Sequence, residues 1–204
     1  MIQHTQKQAA AGTFSILPCR SAAELKKFEE IPEILHGTDP NFTPPFPGSV
    51  VRLIGPKSVF LKNHGEITPF IAYRDGKPVG RIAAIVNRSH NKYNKDSVGF
   101  FGFFDFINDS SVAKALVEAA AVILKEKGLT TMRGPYNPSI NDDCGVLTEG
   151  NDRPTFVSMP WNPPYYKGVY KAAGLEVLRT LYAYDIPLHK EPPSPRPPRS
   201  WPVK

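Results

Sequence analysis

The chain has 204 residues, a net charge of +6 and 41% hydrophobic residues, which fits one folded domain of roughly 100–200 residues with tails. No stretch reaches the roughly 20 uncharged apolar residues that a membrane span needs, and the first residues lack the apolar segment of a secretory signal. Two cysteines, Cys19 and Cys144, are too few for a disulfide scaffold or a cysteine-built zinc site. These features predict a soluble cytoplasmic protein without a metal centre.

The basic charge is unevenly distributed along the chain. Residues 188–204 hold four basic residues and one acidic residue, which is half of the net charge of +6. A basic tail is weaker evidence for phosphate binding than a basic domain is. Nucleic acid is therefore an unfavoured partner.

Both ends of the chain are predicted to be disordered. Residues 1–12 are rich in Gln and Ala and have no clear period, whereas residues 188–204 are rich in proline. Proline fixes φ and removes backbone donors, which favours an extended tail. That tail is either a plain unstructured segment or a docking peptide for an aromatic-lined groove. The domain itself is predicted over residues 13–187.

The first half of the domain is predicted to contain a strand, a helix, a turn-rich region and a hairpin. Ser21 followed by Glu24 forms a capping-box pattern, and Pro32 is expected to end or kink the helix that follows. Asp75-Gly76 between two apolar runs is a strong signal for a hairpin turn. The remaining predictions are a strand at 13–18, turns at 36–49, a short helix within 50–63, and strands at 68–74 and 79–87.

The next predicted strand, residues 98–107, forms the centre of the sheet. Phenylalanine occurs on both of its faces, so other elements should cover it on both sides. Gly99 and Gly102 within it indicate a bulge or a closely approaching backbone. Asp109-Ser110-Ser111 then begins the longest predicted helix, whose apolar residues recur at helical spacing until Gly128.

Residues 88–95, between two of these strands, are predicted to form a basic loop, which is either solvated or phosphate-binding. After the long helix the pattern predicts a short strand at 130–133 and an irregular polar region at 137–164. A helix at 165–173 is ended by Gly174. Residues 175–186 follow as one strand or a hairpin.

This order of elements resembles the GNAT superfamily of acyl-CoA N-acyltransferases. Residues 169–176 are similar to the end of that superfamily's final helix, where a tyrosine precedes a glycine step, and residues 74–81 are similar to its second hairpin. The resemblance covers residues 13–187 in the order of elements. It implies an α/β (α+β) fold with helices flanking a mixed, mostly antiparallel sheet of about six or seven strands.

Longer stretches resemble an uncharacterised bacterial family within that superfamily. They are residues 39–41, 79–84, 99–104, 133–139 and 162–166. Members with this pattern usually continue beyond the point where this chain ends. The resemblance therefore implies a shortened member of that family.

The resemblance implies transfer of an acyl group from coenzyme A to an amine. That reaction needs a held donor, a deprotonated amine, a stabilised oxyanion and a proton for the departing thiolate. Tyr170 matches the superfamily's acid, and Asp105 is the best-placed carboxylate for the base. A packing tyrosine and a carboxylate bonded to neighbouring backbone are the alternative interpretations of these two residues. The oxyanion donor is expected among the backbone N–H groups of residues 103–106.

Acetyl-CoA or another acyl-CoA is the implied cofactor, and a small-molecule or peptide amine is the implied acceptor. In GNAT enzymes the diphosphate binds a glycine-rich loop before the long helix, and the helix dipole adds to its binding. The loop falls on residues 108–113 here, where only Ala113 matches the usual pattern. The predicted cofactor-binding residues are Phe104, Phe106, Ser110, Ser111, Val112, Ala113 and Asn162.

The altered loop supports a second interpretation of the sequence. Asp109 or Ser110 is a good N-cap, so a side chain would occupy donors that the diphosphate needs, and Asp109 would repel it. The alternative to an acyltransferase is a catalytically silent GNAT-like binding module. A basic nucleic-acid-binding domain is the third possibility considered.

Overall fold

The structure is a computed structural model that describes residues 14–184. The predicted leader at 1–12 and tail at 188–204 lie outside the described residues. The described elements follow in chain order: β1 (Phe14–Pro18), α1 (Ala22–His36), α2 (Ser49–Ile54), α3 (Val59–Asn63), β2 (Gly65–Arg74), β3 (Lys77–Asn87), α4 (Arg88–Asn94), β4 (Val98–Phe106), α5 (Ser110–Glu126), β5 (Thr131–Arg133) and α6 (Tyr166–Ala172). None of the helices within residues 14–184 has the length and apolar character needed to cross a membrane.

The strands form one sheet in the order β1-β2-β3-β4-β5. Strands β1 to β4 pair antiparallel, and β5 pairs parallel to β4. Asp75 and Gly76 both have positive φ, at 50° and 74°, as expected for a two-residue turn whose twist matches the flanking strands. The predicted hairpin and the mostly antiparallel sheet with flanking helices are therefore confirmed.

Each face of the sheet supports its own apolar core, so β4 is covered on both sides as predicted. Helix α5 and helix α6 cover one face, and helices α1 to α3 cover the other. Fully or nearly fully buried members of the α5 face include Phe106, Val112 and Leu116, and those of the α1 face include Phe28, Ile31 and Ile85.

Three local predictions differ from the structure. Helix α1 does not end at Pro32 but continues to His36, because Arg81 donates to the Phe28 carbonyl, for which the proline has no N–H. Residues 88–94 form helix α4 rather than a loop, since the Asn87 side chain caps it through the His90 N–H. Residues 175–184 carry no strand, so the described sheet has five strands where about six or seven were predicted.

The last difference has a simple physical reason. A strand is stabilised by the ladder of a neighbouring strand, and β5, at the sheet edge, has only three residues. Residues 175–184 have no such partner within the described part of the chain. Their alternating apolar side chains therefore remain exposed, as at Val177, Leu181 and Tyr184.

Gly102 permits the close approach of two backbone segments in the centre of the sheet. A Cβ atom at this position would collide with the carbonyl oxygen of Tyr136. We expect Gly102→Ala to lower the free energy of unfolding by about 1–3 kcal/mol, because neither backbone can move without breaking the ladder. Urea unfolding monitored by circular dichroism measures this loss.

The matched control is Gly168→Ala on helix α6. A Cβ atom there meets nothing within 4 Å, and alanine is favoured over glycine inside a helix. The control should leave stability unchanged or raise it. Equal unfolding free energies for both variants would contradict the close approach at Gly102.

Candidate active site on strand β4

A bulge in β4 determines which way its side chains face. Arg81 of β3 pairs with Asp105, but Ala83 pairs with Gly102, so Phe103 and Phe104 together oppose one residue of β3. Phe103 has a φ of 48°, and its N–H donates to Asn137 Oδ1 at 2.6 Å. Because side chains alternate along a regular strand, the extra residue turns Asp105 away from the α5 core and onto the α1 face. The bulge suggested by the glycines is therefore confirmed.

Asp105 is paired with a buried arginine on that face. Arg81 Nε donates to Asp105 Oδ2 at 2.7 Å, and Arg81 Nη1 donates to the carbonyl oxygen of Phe28 at 2.7 Å. Pro32 has no N–H with which to continue the helical bond to that carbonyl, so Arg81 supplies the missing donor. The guanidinium also lies over the rings of Phe28 and Phe103, at 4.8 and 5.8 Å from their centroids. Arg81 thus joins α1, β3 and β4 at one point.

Tyr166, the first residue of α6, inserts its hydroxyl beside this pair. The hydroxyl accepts from the Phe106 N–H at 3.1 Å, and it lies 3.1 Å from His36 Nε2 and 3.5 Å from Asp105 Oδ1. Its ring stacks on Phe106, with centroids 4.3 Å apart. Burial and the nearby Asp105 carboxylate hold the pKa of Tyr166 well above its usual value. The hydroxyl is therefore protonated at neutral pH and has one hydrogen to donate.

The neighbouring tyrosine completes the hydrogen bonding of Phe106. Tyr165 Oη donates to the Phe106 carbonyl oxygen at 2.6 Å. β5 pairs only with Val98, Gly99 and Phe100, so the two tyrosines satisfy the backbone groups of Phe106, which lie beyond the reach of β5. Burial raises the pKa of Tyr165 as well.

His36 closes the group from the end of α1. It is 6% exposed, and its pKa is lowered mainly by burial and further by Arg81, while Asp105 and Asp39 act in the opposite direction. The ring makes edge contacts with Trp161 and Phe42, at 5.6 and 6.1 Å between centroids. We call Arg81, Asp105, Tyr166 and His36 the polar cluster.

The described residues leave one buried donor beside the cluster without an acceptor. Trp161 Nε1 is buried and forms no hydrogen bond, although its ring packs on Phe42 with centroids 5.2 Å apart. A buried unpaired donor costs about 1–3 kcal/mol. A ligand oxygen placed here would recover that free energy.

The other residues assigned from the sequence lie around the cluster in different settings. Phe104 and Phe106 face the α5 core. Tyr170 packs against Phe104 with centroids 5.2 Å apart, and burial and Asp105 raise its pKa. Asn162 uses its side chain within the protein: Oδ1 accepts from the Leu147 N–H, and Nδ2 donates to the Leu147 and Pro163 carbonyls.

Sequence reasoning did not single out Arg81, His36, Tyr166 or Trp161 as site residues. Arg81 and Tyr166 lie within stretches that resemble the bacterial family, whereas His36 and Trp161 lie outside those stretches. Residues 79–84, 99–104 and 162–166 meet at the polar cluster, and Asp39 from the stretch 39–41 influences the pKa of His36. Searching those stretches for polar residues would have found Arg81 on a predicted strand and Tyr166 on a predicted helix.

Sequence comparison finds two curated relatives but no matching family model. A bacterial ceramide synthase of Caulobacter vibrioides is 33% identical over 180 residues, which are 85% of this chain and 47% of that protein. Protein YghO of Escherichia coli K12 is 35% identical over 148 residues, which are 70% of this chain and 36% of that protein. The chain thus spans less than half the length of either relative.

Comparison with solved structures matches most of the chain, including the sheet and its helices. An aminoglycoside acetyltransferase from an uncultured soil metagenomic sample matches with a TM-score of 0.50 at 15% identity, over 85% of this chain and 97% of that chain. This chain has the GNAT acyltransferase fold. The fold predicted from the order of elements is therefore confirmed, and β4 and α5 are the elements between which a GNAT enzyme would hold its diphosphate.

The N-terminus of α5 does not fit a diphosphate in the usual GNAT manner. The Asp109 carboxylate accepts from the Ser111 N–H at 2.8 Å and from Ser111 Oγ at 2.6 Å, so the predicted cap is confirmed. Its other oxygen accepts from Arg74 Nη2 at 2.7 Å. Burial alone would raise the pKa of Asp109, but these hydrogen bonds and the Arg74 charge together outweigh it and lower the pKa to about 2. A fixed negative charge therefore occupies the position where the GNAT fold usually presents free donors to phosphate.

Proposed function

We propose that this chain carries an N-acyltransferase site that moves an acyl group from a thioester to the amine of a long-chain amino alcohol. The observation that carries the proposal is the polar cluster, which combines a carboxylate, a buried histidine and a tyrosine at the bulged strand of a GNAT fold. These groups can take up a proton from an amine next to backbone N–H groups. Asp105 remains the carboxylate that we propose to assist removal of the amine proton, and Tyr170 remains the proposed acid.

The long-chain acceptor is supported by the relative named as a bacterial ceramide synthase, since a ceramide is the N-acyl amide of a long-chain amino alcohol. Apolar residues around the aromatic contacts agree with such a substrate. Phe46, Phe156 and Val157 are 84%, 64% and 92% exposed, and the Phe42–Trp161 contact brings their two loops together. Exposed apolar groups on the loops whose Phe42 and Trp161 rings contact His36 suit a molecule with a polar head and a hydrocarbon chain.

An acceptor panel tests the proposal. The purified chain is incubated with acetyl-CoA or palmitoyl-CoA and either sphinganine or an aminoglycoside, and products are identified by mass spectrometry. We expect an amide from sphinganine and none from the aminoglycoside. Product from the aminoglycoside alone would assign a different acceptor class. No product from correctly folded protein with any pair would favour the catalytically silent module.

We propose that acyl-CoA is the acyl donor. Its thioester and acyl chain would contribute more to its affinity for the protein than its diphosphate does. Asp109→Asn keeps an equally good N-cap while it removes the negative charge and frees Arg74. We expect this variant to bind palmitoyl-CoA about 5–10-fold more tightly, because about 1 kcal/mol of repulsion near the helix N-terminus is lost. Isothermal titration calorimetry measures the dissociation constant.

Asp75→Asn is the matched control for that measurement. It removes the same charge from an exposed hairpin turn, where asparagine tolerates the positive φ. The control should bind palmitoyl-CoA as the unmodified chain does. Identical dissociation constants for the two variants would show that Asp109 does not oppose the donor.

A further inference from the structure

We propose that His36 is the proton acceptor of the reaction and that it acts through the Tyr166 hydroxyl. The inference rests on the proposed acyltransferase function and adds a group from α1, an element that the sequence analysis did not connect with catalysis. The hydroxyl joins the two ends of the domain, since its partner His36 is 130 positions away in the chain.

The geometry favours His36 over Asp105 as the partner that receives the tyrosine proton. Tyr166 Oη lies 3.1 Å from His36 Nε2 but 3.5 Å from Asp105 Oδ1, and hydrogen bonds weaken with such lengthening. The other carboxylate oxygen, Asp105 Oδ2, accepts from Arg81 Nε at 2.7 Å, and this charge pairing makes the carboxylate a weaker proton acceptor. The Phe106 N–H donates to the tyrosine oxygen, so the single hydroxyl hydrogen is directed towards the remaining partners.

The charges around His36 suit a transient proton. Four charged or titratable groups act on the ring from the elements that pack against it: Tyr166 of α6, Asp105 of β4, Arg81 of β3, and Asp39 after α1. Burial favours the neutral imidazole at rest, and in the tautomer with its hydrogen on Nδ1, which the proposal requires, Nε2 can accept the tyrosine proton. Asp105 and Asp39 then stabilise the imidazolium once it forms, whereas Arg81 limits how strongly the proton is held.

These groups account for every proton that moves in the reaction. The substrate ammonium gives one proton to Tyr166 Oη as the hydroxyl proton of Tyr166 passes to His36 Nε2. The free amine attacks the thioester carbonyl, the C–N bond forms, and the C–S bond breaks with its electron pair on sulfur. The second nitrogen proton reaches the thiolate by way of Tyr170, which yields the amide and the thiol. His36 then releases its proton to water.

The pH dependence of amide formation distinguishes this relay from a structural role. A neutral His36 accepts protons at any pH above its own pKa, so the unmodified chain should show a flat rate from about pH 7 to 9 at saturating sphinganine and palmitoyl-CoA. In His36→Gln only amine that arrives already deprotonated can react. Its rate should be about 100-fold lower at pH 7 and should rise about tenfold per pH unit, as the free-amine fraction does.

Two further variants make the test decisive. Tyr166→Phe interrupts the relay without altering His36 and should show the same tenfold rise per pH unit, so it replaces His36→Gln if that variant does not fold. His64→Gln is the matched control, because His64 bonds to Ser89 Oγ on an exposed surface, and its flat profile should persist.

The outcomes separate the relay from the function on which it rests. Flat profiles in both His36→Gln and Tyr166→Phe, with amide still formed, would overturn the relay and leave the acyltransferase intact. Absence of amide from the unmodified chain at every pH would overturn the proposed function itself. Retained amide formation with a new slope in both variants supports the proposal.

Discussion

Tyr166→Phe is expected to lower the turnover of acyl transfer by about 10²–10⁴-fold, the usual range for removing a positioned proton-transfer group. The substitution removes one oxygen that contacts the Phe106 N–H, His36 Nε2 and Asp105 Oδ1, while the ring can still stack on Phe106. Steady-state kinetics with palmitoyl-CoA and sphinganine measures turnover and KM separately. KM for the donor should change little, because no donor contact is removed.

Tyr182→Phe is the control for that prediction, since Tyr182 is 77% exposed and takes no part in the polar cluster. Its turnover should equal that of the unmodified chain. If Tyr166→Phe also retained full turnover, the hydroxyl would have only a packing role, and the assignment of the polar cluster to catalysis would be wrong.

Arg81→Met should lower the free energy of unfolding by about 3–5 kcal/mol, because removal of one partner leaves Asp105 and the Phe28 carbonyl unpaired in the interior. Arg81 is 5% exposed. Its guanidinium forms one ion pair, donates to one carbonyl oxygen and packs over two aromatic rings. The double variant Arg81→Met with Asp105→Leu should recover part of the loss, since no unpaired charge remains. Urea unfolding of the two variants measures both effects.

A surface ion pair provides the comparison for Arg81. Arg88 bonds to Glu66 at 2.7 Å with its side chain 55% exposed, so Arg88→Met should cost about 0.2–1 kcal/mol. Losses of the same size for Arg81→Met and Arg88→Met would contradict the role of Arg81 as the buried connection between α1, β3 and β4.

Features that depend on neighbouring residues could be predicted from the sequence. The hairpin at Asp75-Gly76 follows from the positive φ that both positions adopt. The bulge in β4 follows from glycines within an apolar strand, and the Asp109 cap follows from side-chain chemistry within a few residues. In each case the partner group lies close in sequence, so local rules are sufficient.

The polar cluster could not be predicted in the same way, because its contacts join distant positions. Arg81 and the Phe28 carbonyl are 53 positions apart, and Tyr166 and the Phe106 N–H are 60 positions apart. Pro32 illustrates the limit well. Local rules predict that it ends or kinks the helix. In the structure, however, a donor on a strand distant in sequence replaces the hydrogen bond that its missing N–H would have made. Likewise, residues 175–184 have the alternation of a strand but no described neighbour with which to pair.

Selective labelling of phenylalanine amides tests most directly whether β4 is the acyl-transfer site. The chain has 12 phenylalanines, and Phe103, Phe104 and Phe106 belong to the bulged part of β4. The chain labelled with ¹⁵N-phenylalanine is titrated with palmitoyl-CoA and observed by NMR. We expect the largest chemical-shift changes at these three amides and small changes at Phe14 and Phe60, which lie elsewhere in the sheet and its helices. Saturable binding with its largest changes away from β4, or no binding by folded protein, would contradict the account.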